Sequence, residues 1–198
     1  MEKQQEILDF WFGSDYVPEE GEPEFRKEWF IKDDAFDRRI EEQFAEDLER
    51  AIRGEYDDWA ETPRGRLALI ILLDQFSRNL FRGSPRSWSQ DLLALKLSLE
   101  GIDKGHDLEL GVVERGFFYL PIEHSEDIHL QNLSVEKFGE LLEIAPEIAG
   151  GENGLYDYAV RHRDVIEQFG RYPHRNEVLG RPNTPEEEEF LAKPGAGF

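Results

Sequence analysis

The chain has 198 residues, no cysteine and a formal net charge of −21. Its length fits one domain, and without cysteine it forms no disulfide, thiolate metal site, iron–sulfur cluster or cysteine nucleophile. The negative charge opposes binding to a phosphate backbone, so we expect no nucleic-acid partner.

Membrane and export signals are missing from the sequence. The longest apolar run, Leu67 to Leu73, has seven residues, whereas a membrane-spanning helix needs about twenty. The polar stretch Glu2 to Glu6 does not match a signal peptide. We therefore expect a cytoplasmic protein with no membrane partner.

The first helix that the spacing predicts runs from Asp33 to Trp59, with Gly54 as a place where it frays or breaks. Apolar residues recur there every four positions, which is typical of a helix with one buried face. They are Phe36, Ile40, Phe44, Leu48, Ile52 and Tyr56, with Ala51 and Trp59 beside them.

Capping signals predict the starts of the next helices. Thr62 and Pro63 precede a segment from Leu67 to Phe76 that is apolar on nearly every side, as in the centre of a bundle. Ser87 with Gln90 reads as a capping box for a helix that Gly105 ends. Helix is then predicted from Val112 to Pro121.

Three further helices complete the prediction. Ser125 offers a cap, with acidic residues after it, for a helix that buries Leu130, Leu133, Phe138 and Leu141. An apolar stripe from Leu155 to Phe169 ends at Gly170, and Thr184 with Glu187 forms the clearest capping box. The sequence thus predicts an all-α array or bundle of about seven antiparallel helices without significant β-sheet. We expect a single domain, 1–198, whose segment 171–198 packs back on the bundle.

The first candidate site is the end of the apolar helix after Leu73. Asp74 and Arg78 are four residues apart, and a buried carboxylate needs a cation or several donors. The pair is either a brace between helices or part of an anion site formed by Arg78, Asn79 and Arg82.

The second candidate is the segment from Glu123 to His129. His124 lies between Glu123 and Glu126, carboxylates that raise the pKa of a histidine and make it a candidate acid or base. Glu126 and His129 have the Glu-x-x-His spacing of helical di-iron sites, but the chain has no second such pair. We therefore predict no metal and no cofactor.

The third candidate joins a helix to the loop after it. His162 falls on an apolar stripe and needs internal partners, with Arg163 beside it. Gly170 and Pro173 fix a loop dense in polar groups, which serves either as a binding surface or as a latch for the C-terminal segment. Its members are Arg171, Tyr172, His174, Arg175 and Asn176.

Several motifs together resemble one known family, the bacterial and fungal domain of unknown function 924. The matching segments span nearly the whole chain. They are Phe10–Phe12, Trp29–Phe30, Leu73–Asn79, Arg82–Gly83, Arg115, Phe117–Pro121, Glu123–Glu126, His162–Asp164, Phe169–Asn176, Leu179–Arg181 and Thr184–Glu187. Ser77 departs from the family pattern, which usually has proline there. The resemblance implies a tetratricopeptide-like helical fold and no established reaction.

Three functional interpretations remain open. The first is a binding module for a small anionic ligand or acidic peptide end, through a pocket formed by the three candidate segments. Its expected binding residues are Arg78, Asn79, Arg82, His124, His162, Arg163, Arg171, His174, Arg175 and Asn176. The second is an enzyme using His124 with Glu123 or Glu126, or using His174. The third is a protein-interaction scaffold, for which an apolar patch of Phe10, Trp11, Trp29 or Phe30 would be the mark.

Overall fold

Every regular element in residues 2–197, the part of the chain that the computed structural model describes, is helical. The all-α prediction without β-sheet is therefore confirmed for these residues. The α-helices are α1 (Glu2–Phe12), α2 (Asp34–Ile52), α3 (Pro63–Ile70), α4 (Ser77–Leu80), α5 (Asp91–Asp103), α6 (Val112–Glu123), α7 (Ile128–Ile144), α8 (Pro146–Ala149), α9 (Leu155–Phe169) and α10 (Pro185–Leu191). The tetratricopeptide-like arrangement and the antiparallel order stay predictions.

The described residues form two compact units. The first unit contains residues 2–82 and 86–121, and the second contains residues 83–85 and 122–197. The last two residues of α6 belong to the second unit. That the whole chain is a single domain stays a prediction.

The core of the first unit contains the apolar segment after Pro63. Thr62 caps α3 as predicted, since its side chain accepts a hydrogen bond from the Gly65 N–H at 3.2 Å. All residues from Leu67 to Phe76 are buried. Residues Ile71–Phe76 form a π-helix rather than the expected α-helix. Because every side of this segment is buried, hydrophobic spacing carries no sign of the change in helical period.

The predicted stripe on α2 is buried, but the helix is shorter than expected. Phe36, Ile40, Phe44 and Leu48 are all at most 2 % exposed. The helix ends at Ile52, before Gly54 with its φ of +76°. Tyr56 and Trp59 therefore lie beyond α2, where their rings stack at 4.0 Å.

The two N-terminal tryptophans of the expected apolar patch lie in the core. Helix α1, which the spacing analysis did not predict, buries Trp11 completely. Trp29 is 8 % exposed, stacks on Trp11 at 6.4 Å and donates its indole N–H to the Trp11 carbonyl at 2.9 Å. Phe30 is 53 % exposed. The expected mark of a scaffold thus does not include the two tryptophans.

Of the three other predicted helix caps, those at Ser87 and Ser125 are wrong and that at Thr184 is confirmed. Ser87 lies in a 3-10 turn and donates to the Phe81 carbonyl, and α5 begins only at Asp91. Helix α7 is capped by Asp127 instead of Ser125, because the Asp127 carboxylate accepts the His129 N–H at 2.7 Å. Thr184 and Glu187 form the predicted capping box of α10.

The second unit is built on the packing of α7 against α9. The buried residues of α7 are Gln131, Ser134, Phe138 and Leu141, whereas Leu130 and Leu133 of the expected stripe are only partly buried. The prediction is therefore confirmed for Phe138 and Leu141, but its first two positions were displaced by one residue. Two of its four buried residues are polar, so an apolar count could not locate the face.

Candidate functional site

The first candidate segment is paired with carboxylates inside the first unit. Arg78 Nη1 lies 3.0 Å from Asp74 Oδ1 and 2.9 Å from Asp91 Oδ1. Asp74 is completely buried, so the expected cation partner is present. These contacts fit the brace interpretation of this pair.

Asp37 on α2 holds the other two residues of that segment. It accepts the Asn79 side-chain N–H at 2.7 Å and the Arg82 Nε–H at 2.6 Å. Both bonds link α2 to the end of α4 over more than forty positions of sequence. Arg82 and Asn79 thus stabilise the first unit through Asp37.

The second and third candidate segments come together in the second unit. We name this group the histidine cluster and define it as Glu123, His124, His162, Tyr172, His174 and Arg175. Glu123 ends α6 and His162 lies on α9, while Tyr172, His174 and Arg175 come from the loop after α9. The cluster holds three of the five histidines in the chain.

The backbone of the loop explains how it returns to α6. Gly170 has φ +67° and its N–H donates to the Ile166 carbonyl at 2.8 Å, which ends α9 in a left-handed cap. Pro173 then begins a 3-10 turn, Pro173–Arg175. Glycine at the first position and proline at the second favour this path, since each suits the local φ angle.

Tyr172 lies at the centre of the cluster and is completely buried. Its hydroxyl donates to the Glu123 carbonyl at 2.5 Å and accepts from Gln131 Nε2 at 2.8 Å. Burial raises the pKa of this phenol far above its usual value. Tyr172 therefore stays neutral and acts as a fixed scaffold for the groups around its ring.

His162 packs edge-on against the Tyr172 ring, with centroids 5.6 Å apart. Its Nδ1 lies 2.8 Å from the Tyr158 carbonyl and 3.3 Å from Glu123 Oε1. The internal partners expected for this histidine are therefore present. Burial lowers the pKa of His162 well below its usual value, although the Tyr158 bond opposes the shift. The ring is thus neutral, and the tautomer with a proton on Nδ1 suits the carbonyl.

His174 and Arg175 also lie against the ring of Tyr172. The His174 ring is 5.5 Å from the Tyr172 ring, and the Arg175 guanidinium is centred 4.6 Å from it. Arg175 Nη2 donates to the His124 carbonyl at 3.1 Å. Burial and then the charge of Arg175 lower the pKa of His174 to about 4, so His174 is neutral at pH 7.

The ion pair of Arg181 and Glu126 holds the loop beside the cluster. Arg181 donates to both oxygens of Glu126, at 2.7 and 2.9 Å, and to the Tyr172 carbonyl at 3.0 Å. Glu126 also accepts the Tyr172 N–H at 2.8 Å. Burial would raise the pKa of Glu126, but the hydrogen bonds from Arg181 and Tyr172 outweigh it and lower that pKa. Glu126 is therefore a charged anchor, which makes it a poor proton carrier.

Arg171 and Arg163, both expected to bind a ligand, pair with neighbouring carboxylates. Arg171 donates to both oxygens of Glu187, at 2.6 and 2.7 Å, which fits the latch interpretation. It also lines a surface depression of about 460 Å³ with Phe169 and Thr184. Arg163 donates to the adjacent Asp164 at 2.6 Å. Asn176 is completely buried and accepts from Arg181 at 2.8 Å.

The Glu-x-x-His pair does not have the geometry of a di-iron half-site. Glu126 precedes α7, which begins at Ile128, so Glu126 and His129 do not share a helical face. Among residues 2–197 no group of three or more His, Asp or Glu side chains could hold a metal ion.

Gln131 is a cluster neighbour that the sequence analysis missed. Its Nε2 lies 2.6 Å from the Glu123 and Ser125 carbonyls and 2.8 Å from the Tyr172 hydroxyl. It thereby ties α7 to the end of α6 and to the loop. The only available signal was its spacing of seven and ten residues from Phe138 and Leu141, which places it on their face.

No helix within residues 2–197 is long and apolar enough to cross a membrane.

A family described as "Bacterial protein of unknown function (DUF924)" matches residues 7–195. Among solved structures, the chain is similar to that of the protein of unknown function ATU0120 from Agrobacterium tumefaciens. The two share 37 % identity and a TM-score of 0.81, over 96 % of this chain and 97 % of that chain. No curated protein matches the chain. These findings confirm the resemblance drawn from the motifs, and the chain belongs to the DUF924 family of bacterial proteins.

Proposed function

We propose that this protein binds a small anionic ligand, a phosphate or a carboxylate, through His124, His174 and Arg175 of the histidine cluster. A carboxylate here is either free or the end of an acidic peptide. The observation that carries the proposal is that His174 and Arg175 both pack against the buried ring of Tyr172, where Arg175 also donates to the His124 carbonyl.

The position of Arg175 favours an anion. Its guanidinium rests on the Tyr172 ring, which orients the group through its flat face. The N–H edge of a stacked guanidinium lies in the plane and donates hydrogen bonds, as it does to the His124 carbonyl. A planar donor held in this way suits the oxygens of a phosphate or carboxylate.

The charge of the surroundings limits the size of the ligand. The chain carries a net charge of −21, and carboxylates accompany the two arginines around Tyr172, since Arg181 is paired with Glu126 and Glu123 contacts His162. Arg175 and Arg181 lower the pKa of His174, whereas Glu126 raises it. We therefore expect a small anion held by the hydrogen bonds of Arg175 rather than a large polyanion, which the rest of the surface would repel.

The test is calorimetric titration with inorganic phosphate and with succinate at low ionic strength. Replacing a charge-assisted hydrogen bond costs about 1.5–3 kcal/mol, so Arg175→Gln should weaken binding roughly tenfold or more. Arg175→Lys keeps the charge and should weaken it less. Arg163→Gln removes an arginine paired with Asp164 and is the matched control. Circular dichroism checks that each variant is folded. Binding that Arg175→Gln leaves unchanged would refute the proposal.

A second candidate function is acid–base catalysis, favoured by the contact between His162 Nδ1 and Glu123 Oε1 at 3.3 Å. A carboxylate beside one ring nitrogen orients the other nitrogen as a base. The low pKa of both His162 and His174 makes them weak bases at neutral pH. Anion binding therefore agrees better with the electrostatics of the cluster.

A further inference from the structure

The residues after α10 fold back toward the histidine cluster. Helix α10 ends at Leu191, and the Lys193 N–H donates to the Phe190 carbonyl at 3.0 Å. Gly195 has φ +75°, and the Ala196 N–H donates to the Lys193 carbonyl at 3.3 Å. A left-handed glycine inside a turn reverses the direction of the chain.

The returning segment reaches His174. A Cβ atom placed on Gly197 would lie 3.8 Å from the Cβ of His174, so the backbone at this point lies beside that histidine. Ala196 is only 8 % exposed, although residues 192–195 are exposed. We name residues 193–197 the C-terminal strap, in which Ala196 is the buried residue.

The strap is exposed apart from Ala196. The segment up to α10 is fixed by the pairs of Arg171 with Glu187 and of Arg181 with Glu126. The contacts described for the strap are one small apolar side chain, one turn hydrogen bond and the approach to His174. Segments with few buried contacts open locally at low free-energy cost, well before the whole protein unfolds.

We propose that the C-terminal strap is a cover on the anion site that lifts to admit the ligand to His174. The regulatory part of this inference rests on the proposed function, whereas the cover itself is inferred from the position of Gly197 beside His174. A cover of this kind lowers the affinity for an anion, because binding must displace it.

The test removes the strap in two ways. One variant lacks residues 193–198, and the other is Gly195→Val, which keeps the full length and strains the turn at a positive φ. Gly151→Val is the matched control, because Gly151 also has a positive φ of +87° and open space around it but lies before α9. The first readout is the rate at which diethyl pyrocarbonate acylates His174, followed by mass spectrometry. The second is the Kd of inorganic phosphate.

We expect both strap variants to raise the acylation rate of His174 several-fold and to lower the phosphate Kd, with Gly151→Val like the wild type. An unchanged acylation rate in both variants would overturn the strap, whether or not phosphate binds. A faster rate with an unchanged Kd would overturn the regulatory claim. A faster rate without phosphate binding in any form would support the cover and reject the proposed function.

Discussion

Arg181 holds Glu126 with two parallel hydrogen bonds, Nη1 to Oε2 at 2.7 Å and Nη2 to Oε1 at 2.9 Å, across 55 positions of sequence. The same two residues hold the backbone of Tyr172, because Glu126 accepts its N–H and Arg181 donates to its carbonyl. This ion pair therefore fixes the tyrosine on which the histidine cluster is assembled.

Breaking this pair should destabilise the protein and loosen Tyr172. Bidentate, partly buried pairs are stronger than exposed single contacts. We expect a double-mutant cycle of Glu126→Gln and Arg181→Gln to give a coupling of about 1–2 kcal/mol in urea unfolding. A coupling near zero would show that the pair does not hold the loop.

The pair of Arg171 and Glu187 should make stability depend on pH in the acid range. Hydrogen bonds from Arg171 lower the pKa of Glu187 to about 2 in the folded protein, against 4.5 for the free side chain. The stabilisation is therefore complete above pH 4.5 and lost as the pH falls toward 2. Arg171→Gln should lower the urea midpoint at pH 7, and its difference from the wild type should shrink below pH 4.5. A difference that stays constant from pH 7 to 3 would contradict this.

His174 should give stability a second pH dependence in a higher window. Its folded pKa of about 4 lies below the ordinary value of 6.5, so only the unfolded chain is protonated between these values. Stability therefore falls as the pH falls from 6.5 to 4, by about 3 kcal/mol for this one group. His174→Asn should remove that part of the slope in urea titrations. If the slope survives the substitution, His174 is not the buried neutral group described here.

Two helical glycines should respond in opposite ways to the same substitution. A Cβ on Gly101 in α5 would lie 2.4 Å from the Phe118 ring and 2.6 Å from Arg66 Cδ. Gly101→Ala should therefore cost about 1–3 kcal/mol through overpacking. A Cβ on Gly139 in α7 meets only the Tyr156 ring at 3.6 Å. Gly139→Ala should stabilise by up to about 1 kcal/mol through helix propensity. Thermal unfolding measures both: a Gly101→Ala variant that is not destabilised would refute the close packing at Gly101, and a destabilised Gly139→Ala variant would refute the prediction for Gly139.

Much of the fold could be predicted because local signals determine helix starts. Thr62 with Pro63 and Thr184 with Glu187 are local chemistry, and both caps are present. The Ser87 signal failed because its hydroxyl finds the Phe81 carbonyl instead of a helix terminus. Helix α1 was not predicted, and its Trp11, one member of the apolar patch that would mark a scaffold, is buried.

The roles of the arginines could not be predicted, since they depend on partners far away in sequence. Arg82 finds Asp37 across 45 positions, and Arg181 finds Glu126 across 55. Local composition shows that arginines are dense near Arg171 but not which carboxylate each one meets. The placement of His162 was accessible, because an apolar stripe with one histidine requires internal partners. Whether the cluster binds a ligand stays a prediction.

The most direct test of anion binding is the protonation of His174 followed by nuclear magnetic resonance, with and without saturating sulfate. Sulfate keeps its charge from pH 3 to 8, so a change of protonation in this range arises from the protein and not from the ligand. The variant His174→Asn identifies the resonance of His174. A bound anion stabilises the protonated ring, so we expect sulfate to raise the pKa of His174 from about 4 by one unit or more. His106, beside Arg66 in the first unit, is the internal control and should not respond. A pKa of His174 that is the same with and without sulfate would contradict anion binding at the histidine cluster.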